Sequence, residues 1–141
     1  MTSVVIDASV ALAWCFPDEG SGYADAVLVE LNGNSILVPA VWALEVANGI
    51  LVGERSKRLH QPEIRRFITL LENLSIVQDV QSLSEYVRNV LPLAREYGLS
   101  AYDAACLELS VRYSAPLATL DRRLQKAGQS AGVKLYAEES A

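Results

Sequence analysis

The chain has no lysine or arginine before Arg55 and a single histidine, His60, among its 141 residues. It has two cysteines, Cys15 and Cys106, each inside an apolar segment. Nowhere does an uncharged apolar run reach the ~18 residues that a membrane helix requires. Each shortage excludes something. One histidine in a polar loop supports neither a Ser-His-Asp triad nor a zinc cluster. Two thiols in apolar surroundings suit a reduced chain better than a disulfide frame, and a cytoplasmic setting is expected. The first ten residues carry no positive charge, and Asp7 interrupts their apolar run, so no secretory signal is expected. The most apolar stretch, Val38 to Val52, is broken by Glu45, so no membrane association is expected either.

What is present is ample apolar material. The chain is 51% hydrophobic and 21% charged, enough to bury a full core. Its length is that of one ordinary domain, and residues 1–141 read as a single domain without repeats or linkers. The net charge is −5, split unevenly, with −7 in the first 54 residues and +2 in the rest. Such a chain is a poor general binder of nucleic acid. A nucleic-acid contact would have to be local and assisted by metal ions, and the acidic half suits a basic partner.

Strands and helices alternate along the chain. Residues 3–7 read as a buried strand, and Ser9 is placed to cap a helix from Val10 to Phe16 that Pro17 stops. Asp18 to Gly22 is a turn. A helix through Tyr23, Val27 and Leu31 follows, ending at Asn32-Gly33-Asn34. Ile36-Leu37-Val38 is a strand closed by Pro39. Ala40 to Gly53 is a helix apolar on most sides. After a basic connection, Pro62 opens another helix. Ser75-Ile76-Val77 is a third strand. Ser82 and Glu85 have capping-box spacing for a helix towards Tyr97, which Pro92 should kink or break and Gly98 should end. Ser100 opens a helix to about Tyr113, and Ala115–Thr119 is a strand. Asp121 starts a short helix ending near Gly128, Val133–Leu135 is a last strand, and Glu138–Ala141 reads as a frayed tail. This order argues an α/β fold with a central parallel sheet of four to five strands between helical layers.

Four carboxylates stand in unusual places. Asp7 ends the first strand, and in an open α/β sheet ligands bind at the carboxyl ends of strands. Asp121 lies just beyond another strand. Glu45 shares its helix with Trp42 and Val41, and an unpaired buried carboxylate is costly. Asn48 sits one turn after Glu45, on the same helix face. Asp103 lies in the first turn of its helix. Each has an ordinary reading: Asp7 and Asp121 as helix caps, Asp103 as half of a capping box, Glu45 at a solvent-facing edge. A doubly wound sheet, however, can bring all four to one edge. There their mutual repulsion calls for a hard cation, and oxygen ligands of this kind suit Mg2+ or Mn2+.

The residues that carry this pattern resemble those of the PIN-domain ribonucleases, most closely the VapC-type toxins of toxin–antitoxin pairs. Val5-Ile6-Asp7-Ala8-Ser9, Pro39 with Glu45-Val46-x-Asn48, Leu99-Ser100-x-Tyr102-Asp103-Ala104, and Ala118-Thr119-x-Asp121-x-x-Leu124 are similar to the family's four motifs in order. Leu124 stands where an aromatic is common, and Pro92 interrupts the helix before the third motif. The resemblance implies a PIN-like α/β/α sandwich and metal-dependent hydrolysis of RNA phosphodiesters. It also implies dimers, and inhibition by an antitoxin. It makes Asp7, Glu45, Asp103 and Asp121 the catalytic and metal-binding set, supported by Ser9, Asn48 and Thr119.

Candidate RNA contacts are the basic cluster Arg55, Lys57, Arg58, Arg65 and Arg66, and the pair Arg122 and Arg123 beside Asp121. Trp14 or Trp42, if exposed, would offer an antitoxin an apolar anchor. Two other readings remain open. A magnesium-dependent phosphatase would use the Asp after the strand as nucleophile, but position 9 is Ser where such folds add a second Asp. A non-catalytic RNA- or protein-binding module on the same fold would usually have lost acids that this chain keeps.

Overall fold

A computed structural model of the chain describes residues 3–19, 22–31 and 33–136. Parts of two expected turns (Gly20, Ser21 and Asn32) and the expected frayed tail lie outside the described residues. Four strands form one parallel sheet: β1 (Ser3–Ile6), β2 (Ser35–Pro39), β3 (Ile76–Asp79) and β4 (Leu117–Ala118), in the order β3-β2-β1-β4. Parallel neighbours need crossover connections, and helices supply them. α1 (Ala8–Cys15) and α2 (Gly22–Glu30) join β1 to β2, and α3 (Trp42–Arg55) and α4 (Gln61–Glu72) join β2 to β3. α5 (Leu83–Asn89), α6 (Leu91–Tyr97) and α7 (Ala101–Tyr113) join β3 to β4, and α8 (Arg122–Ser130) follows β4.

The strands alternate their side chains between two cores. Val4, Ile6, Ile36 and Val38 enter the core that also holds Val10, Val27, Trp42 and Phe67. Val5, Leu37 and Leu117 enter the other, with Leu107 and Leu124. A sheet buried on both faces explains why β1 is continuously apolar rather than alternating. Each large side chain buried there contributes about 1.5–3 kcal/mol. α3 lies close against α1, and a Cβ on Gly53 would stand 2.6 Å from the Phe16 ring. Arg58 stacks on that ring with its guanidinium carbon 4.5 Å from the centroid, and it reaches both carboxylate oxygens of Asp18 at 3.2 Å.

A second polar tie holds α7. Arg112 donates to Glu108 at 2.8 Å and to Asp79, at the end of β3, at 2.5 Å. Gln81 bridges the same two acids at 2.9 Å each. The helix that carries Asp103 is therefore fastened to the far edge of the sheet.

Most expected elements are present, with shifts that have physical reasons. Pro92 breaks the helix after Ser82, so α5 and α6 are separate. Gly98 ends α6 in the left-handed conformation that favours glycine. The helix expected from Ala40 begins at Trp42, with Ala40 and Val41 in a turn, and it runs on to Arg55. α1 begins at Ala8 rather than Val10, so Ser9 sits inside its first turn and is not the cap. The last expected strand is reduced to a single parallel bridge between Leu135 and Leu117. Trp42 is buried in the core, and half-buried Trp14 donates its Nε1–H to the Ala24 carbonyl at 2.8 Å. Neither tryptophan therefore meets the condition of exposure that an anchor for a partner requires.

Candidate active site

Asp7 lies at the carboxyl end of β1 with 5% of its surface exposed. A carboxylate that deep needs hydrogen-bond donors. Two hydroxyls supply them: Ser9 Oγ donates to Oδ1 at 2.5 Å and Thr119 Oγ1 to Oδ2 at 2.6 Å. Each hydroxyl is in turn fixed by a backbone amide. Leu120 N donates to Ser9 Oγ at 3.1 Å, and Asp121 N donates to Thr119 Oγ1 at 3.0 Å. β4 pairs directly with β1, which brings the segment after β4 against the segment after β1. Gln125 completes the support by donating Nε2 to the Thr119 carbonyl at 2.9 Å. Nothing in the sequence reading singled out Gln125. Its position one turn after Asp121, on the short helix that follows, was the available signal.

The other acids arrive from two further helix starts and one cap. Glu45 is half-buried in the first turn of α3. Asp103 is half-buried in the first turn of α7, where its amide donates to the Ser100 hydroxyl at 3.1 Å. Asp121 does cap α8, accepting from Arg123 N at 2.8 Å and Leu124 N at 3.2 Å with one oxygen. The ordinary reading of Asp121 is thus a fact of the fold, and it leaves the second oxygen without a partner among the described hydrogen bonds.

The four acids feel one another. Burial pushes Asp7 up to about 6, the hydroxyls of Ser9 and Thr119 oppose the shift, and the charge of Asp103 adds to it. The Val10 amide pulls weakly in the same direction as the hydroxyls, without capping geometry. Burial pushes Glu45 up to about 7, with Asp103 and Asp7 as further causes. Asp103 is raised by burial and by Asp121, against the pull of Ser100 and Arg123. Behind them the buried Cys106 thiol is held far above its usual range by burial and by the charges of Asp7, Glu45 and Asp103. Among the described residues no ion pair neutralises any of the four. Nor is any group of three or more His, Cys, Asp or Glu among them posed to hold a metal ion.

The remaining expected residues divide. Asn48 is exposed on α3, with no hydrogen bond to the acids. Arg55 ends α3, ten residues or about 15 Å of helix from Glu45. Arg58 is engaged with Asp18 and Phe16. Lys57, Arg65 and Arg66 are exposed near that same end. Arg122 and Arg123 are exposed at the start of α8, and the charge of Arg123 reaches Asp103.

A family model for the PIN domain matches residues 4–129. The chain belongs to the PIN-domain family. The match takes in all four acids and, apart from Ser3, all four strands of this PIN domain. Ribonuclease VapC3 of Pyrobaculum aerophilum is 31% identical over 121 residues, covering 86% of this chain and 91% of the relative. The crystal structure of PAE2754 from the same organism superposes with a TM-score of 0.65 at 24% identity, over 89% of this chain and 79% of that one. VapBC2 of Rickettsia felis, bound to a DNA fragment from its promoter, superposes with a TM-score of 0.65 at 13% identity, over 95% and 97% of the two chains. At these identities the two structures establish the PIN-like fold. Among the described residues no helix is long and apolar enough to cross a membrane.

Proposed function

We propose that this PIN-domain protein is an Mg2+- or Mn2+-dependent endoribonuclease and the toxin of a toxin–antitoxin pair, a cytoplasmic homodimer inhibited by its antitoxin. One observation carries the reading. Among the described residues no ion pair neutralises Asp7, Glu45, Asp103 or Asp121, and each raises the pKa of, or is raised by, another. The curated relative, a ribonuclease aligned over most of the chain, supports the reaction class. The same relative and the VapC-like motifs support the antitoxin partner.

The chemistry of the donor set suits a hard divalent cation, although among the described residues no three of the acids are gathered around one point. The set consists of carboxylate oxygens without competing thiol or imidazole at the surface, which matches magnesium or manganese. Asp7, Asp103 and Asp121 would hold the ion. When bound, it supplies a water of lowered pKa and a positive charge facing the phosphate. The chain's residues do the positioning. Ser9 and Thr119 hold one oxygen of Asp7 each, which fixes the orientation of the carboxylate. Asp121 reaches the site with the oxygen that α8 does not use. Glu45 would orient the attacking water or help to hold a second ion.

The test is cleavage of a short fluorogenic single-stranded RNA by the purified protein with Mg2+ or Mn2+. Addition of EDTA is expected to abolish cleavage, and renewed metal to restore it. Metal-independent cleavage would sink the cation assignment. Hydrolysis of a small phosphomonoester but not RNA would favour a phosphatase. Metal binding without turnover would favour a non-catalytic module.

Arg123 is the best-placed phosphate contact, since its charge reaches Asp103 while the 55–66 cluster lies at the other end of α3. Arg123→Gln is expected to reduce the slope of log binding constant against log salt by about 0.7, one single-strand phosphate contact. Charge reversal at Arg65 and Arg66 is expected to leave that slope nearly unchanged. The opposite pattern would return the RNA path to the 55–66 segment.

A further inference from the structure

A groove of about 380 Å³ opens beside the acids, between the turn before α3, the junction of α5 and α6, and the first turn of α7. Val41, Tyr86, Leu91, Tyr102 and Ala105 are among its walls, and almost all its lining is apolar. Two of these residues tie it to the active site. The Val41 carbonyl accepts the Glu45 amide at 3.0 Å, and Tyr102 immediately precedes Asp103. Tyr102 is 57% exposed, an aromatic face left open to solvent at the edge of a charged site. Tyr86 is turned inward, with its hydroxyl 3.4 Å from the Asp79 carbonyl, so it closes the groove without offering a free polar edge there.

We propose that this groove receives one nucleobase of the RNA, stacked on Tyr102, next to the bond that is cut. The proposal rests on the ribonuclease reading. An apolar lining gives a phosphate or sugar nothing to bond. A nucleobase is flat, uncharged and apolar on its faces, and it is tethered one sugar away from a phosphodiester. Aromatic stacking is how proteins hold single-stranded bases without reading their edges. With almost no polar surface on the walls to interrogate an edge, selection would follow stacking strength, so purines are favoured over pyrimidines at that one position.

The test compares kcat/KM for a short single-stranded RNA with its abasic counterparts, in which one base on either side of the cut is missing while the backbone is intact. For the wild type, one abasic position is expected to lower kcat/KM about tenfold, the scale of one base–aromatic stack. Tyr102→Ala is expected to lower cleavage of the intact RNA by a similar factor, and to make it indifferent to the missing base. Tyr102→Phe should keep the base dependence. Ala101→Leu, which narrows the groove at an exposed position, should penalise purines more than pyrimidines. Losses from Tyr102→Ala and the abasic site that multiply independently would overturn the proposal. So would a sedimentation shift in Tyr102→Ala from dimer to monomer with base dependence intact, since the groove would then seat a second copy of the chain. Absence of cleavage by the wild type would instead overturn the ribonuclease reading itself.

Discussion

Replacing Asp7 by Asn is expected to lower RNA cleavage by at least about a hundredfold, the usual consequence of losing one principal electrostatic group from an active site. The substitution keeps the shape and removes the charge. Asp7 has 5% of its surface exposed and makes no side-chain capping hydrogen bond to α1, so a helix cap does not account for a carboxylate there. Both its oxygens are held by hydroxyls that are themselves fixed by the Leu120 and Asp121 amides. An Asn there can accept with one oxygen only, and its amide meets a hydroxyl that must rotate to receive it. The affinity for Mn2+ should fall along with the rate. Single-turnover cleavage at saturating RNA, with circular dichroism as the check on folding, separates chemistry from stability. Cleavage by Asp7→Asn at the wild-type rate would remove Asp7 from the site.

Much of this site was legible in the sequence because its signals are local. An apolar run ending in a lone carboxylate marks the end of a buried strand, and Ser100 three residues before Asp103 marks a helix start. The strand order and the two-sided core follow from the alternation of strands and helices. What the sequence hid is long-range or dual. Thr119 and Asp7 are 112 residues apart, and their hydrogen bond exists only because β4 pairs with β1. No periodicity predicts that contact, nor the role of Gln125 behind it. Ser9 looked like a helix cap because caps are the commonest work of a serine before an apolar run. Its hydroxyl faces Asp7 instead, once α1 starts at Ala8. Asp121 caps α8 with one oxygen, which leaves the other for the proposed site, and single-residue reasoning treats such roles as alternatives. The basic 55–66 segment is ambiguous for a related reason. Charge density along the chain says nothing of which helix end it occupies, and Arg58 is engaged with Asp18.

The same burial that suits Asp7 to its role should make the metal-free protein lose stability as pH rises. The folded value of about 6 lies above the ordinary 3.8. Below 3.8 the group is protonated in both folded and unfolded chains, and its burial carries no charge penalty. Between 3.8 and about 6 the unfolded chain releases its proton first, so stability falls with increasing pH, and above about 6 the full penalty is present. A shift of that size corresponds to about 3 kcal/mol. Glu45, raised from 4.5 to about 7, extends the decline to neutral pH, with its share reduced by its partial exposure to water. Asp18, Asp79 and Glu85 are held below their ordinary values, so their contributions rise with pH but are complete by about pH 5. Urea unfolding in EDTA is therefore expected to show wild-type stability falling from pH 5 to pH 8. Asp7→Asn should be more stable than the wild type by about 2 kcal/mol at pH 8, with the difference vanishing near pH 4. Saturating Mn2+ should reverse the order at pH 8, because a ligand at a hundred times its dissociation constant adds about 2.7 kcal/mol to the chain that binds it. A wild-type stability that stays flat across this range, or an Asn variant destabilised at every pH, would mean that Asp7 is a structural anchor rather than a charge kept at a cost for a cation.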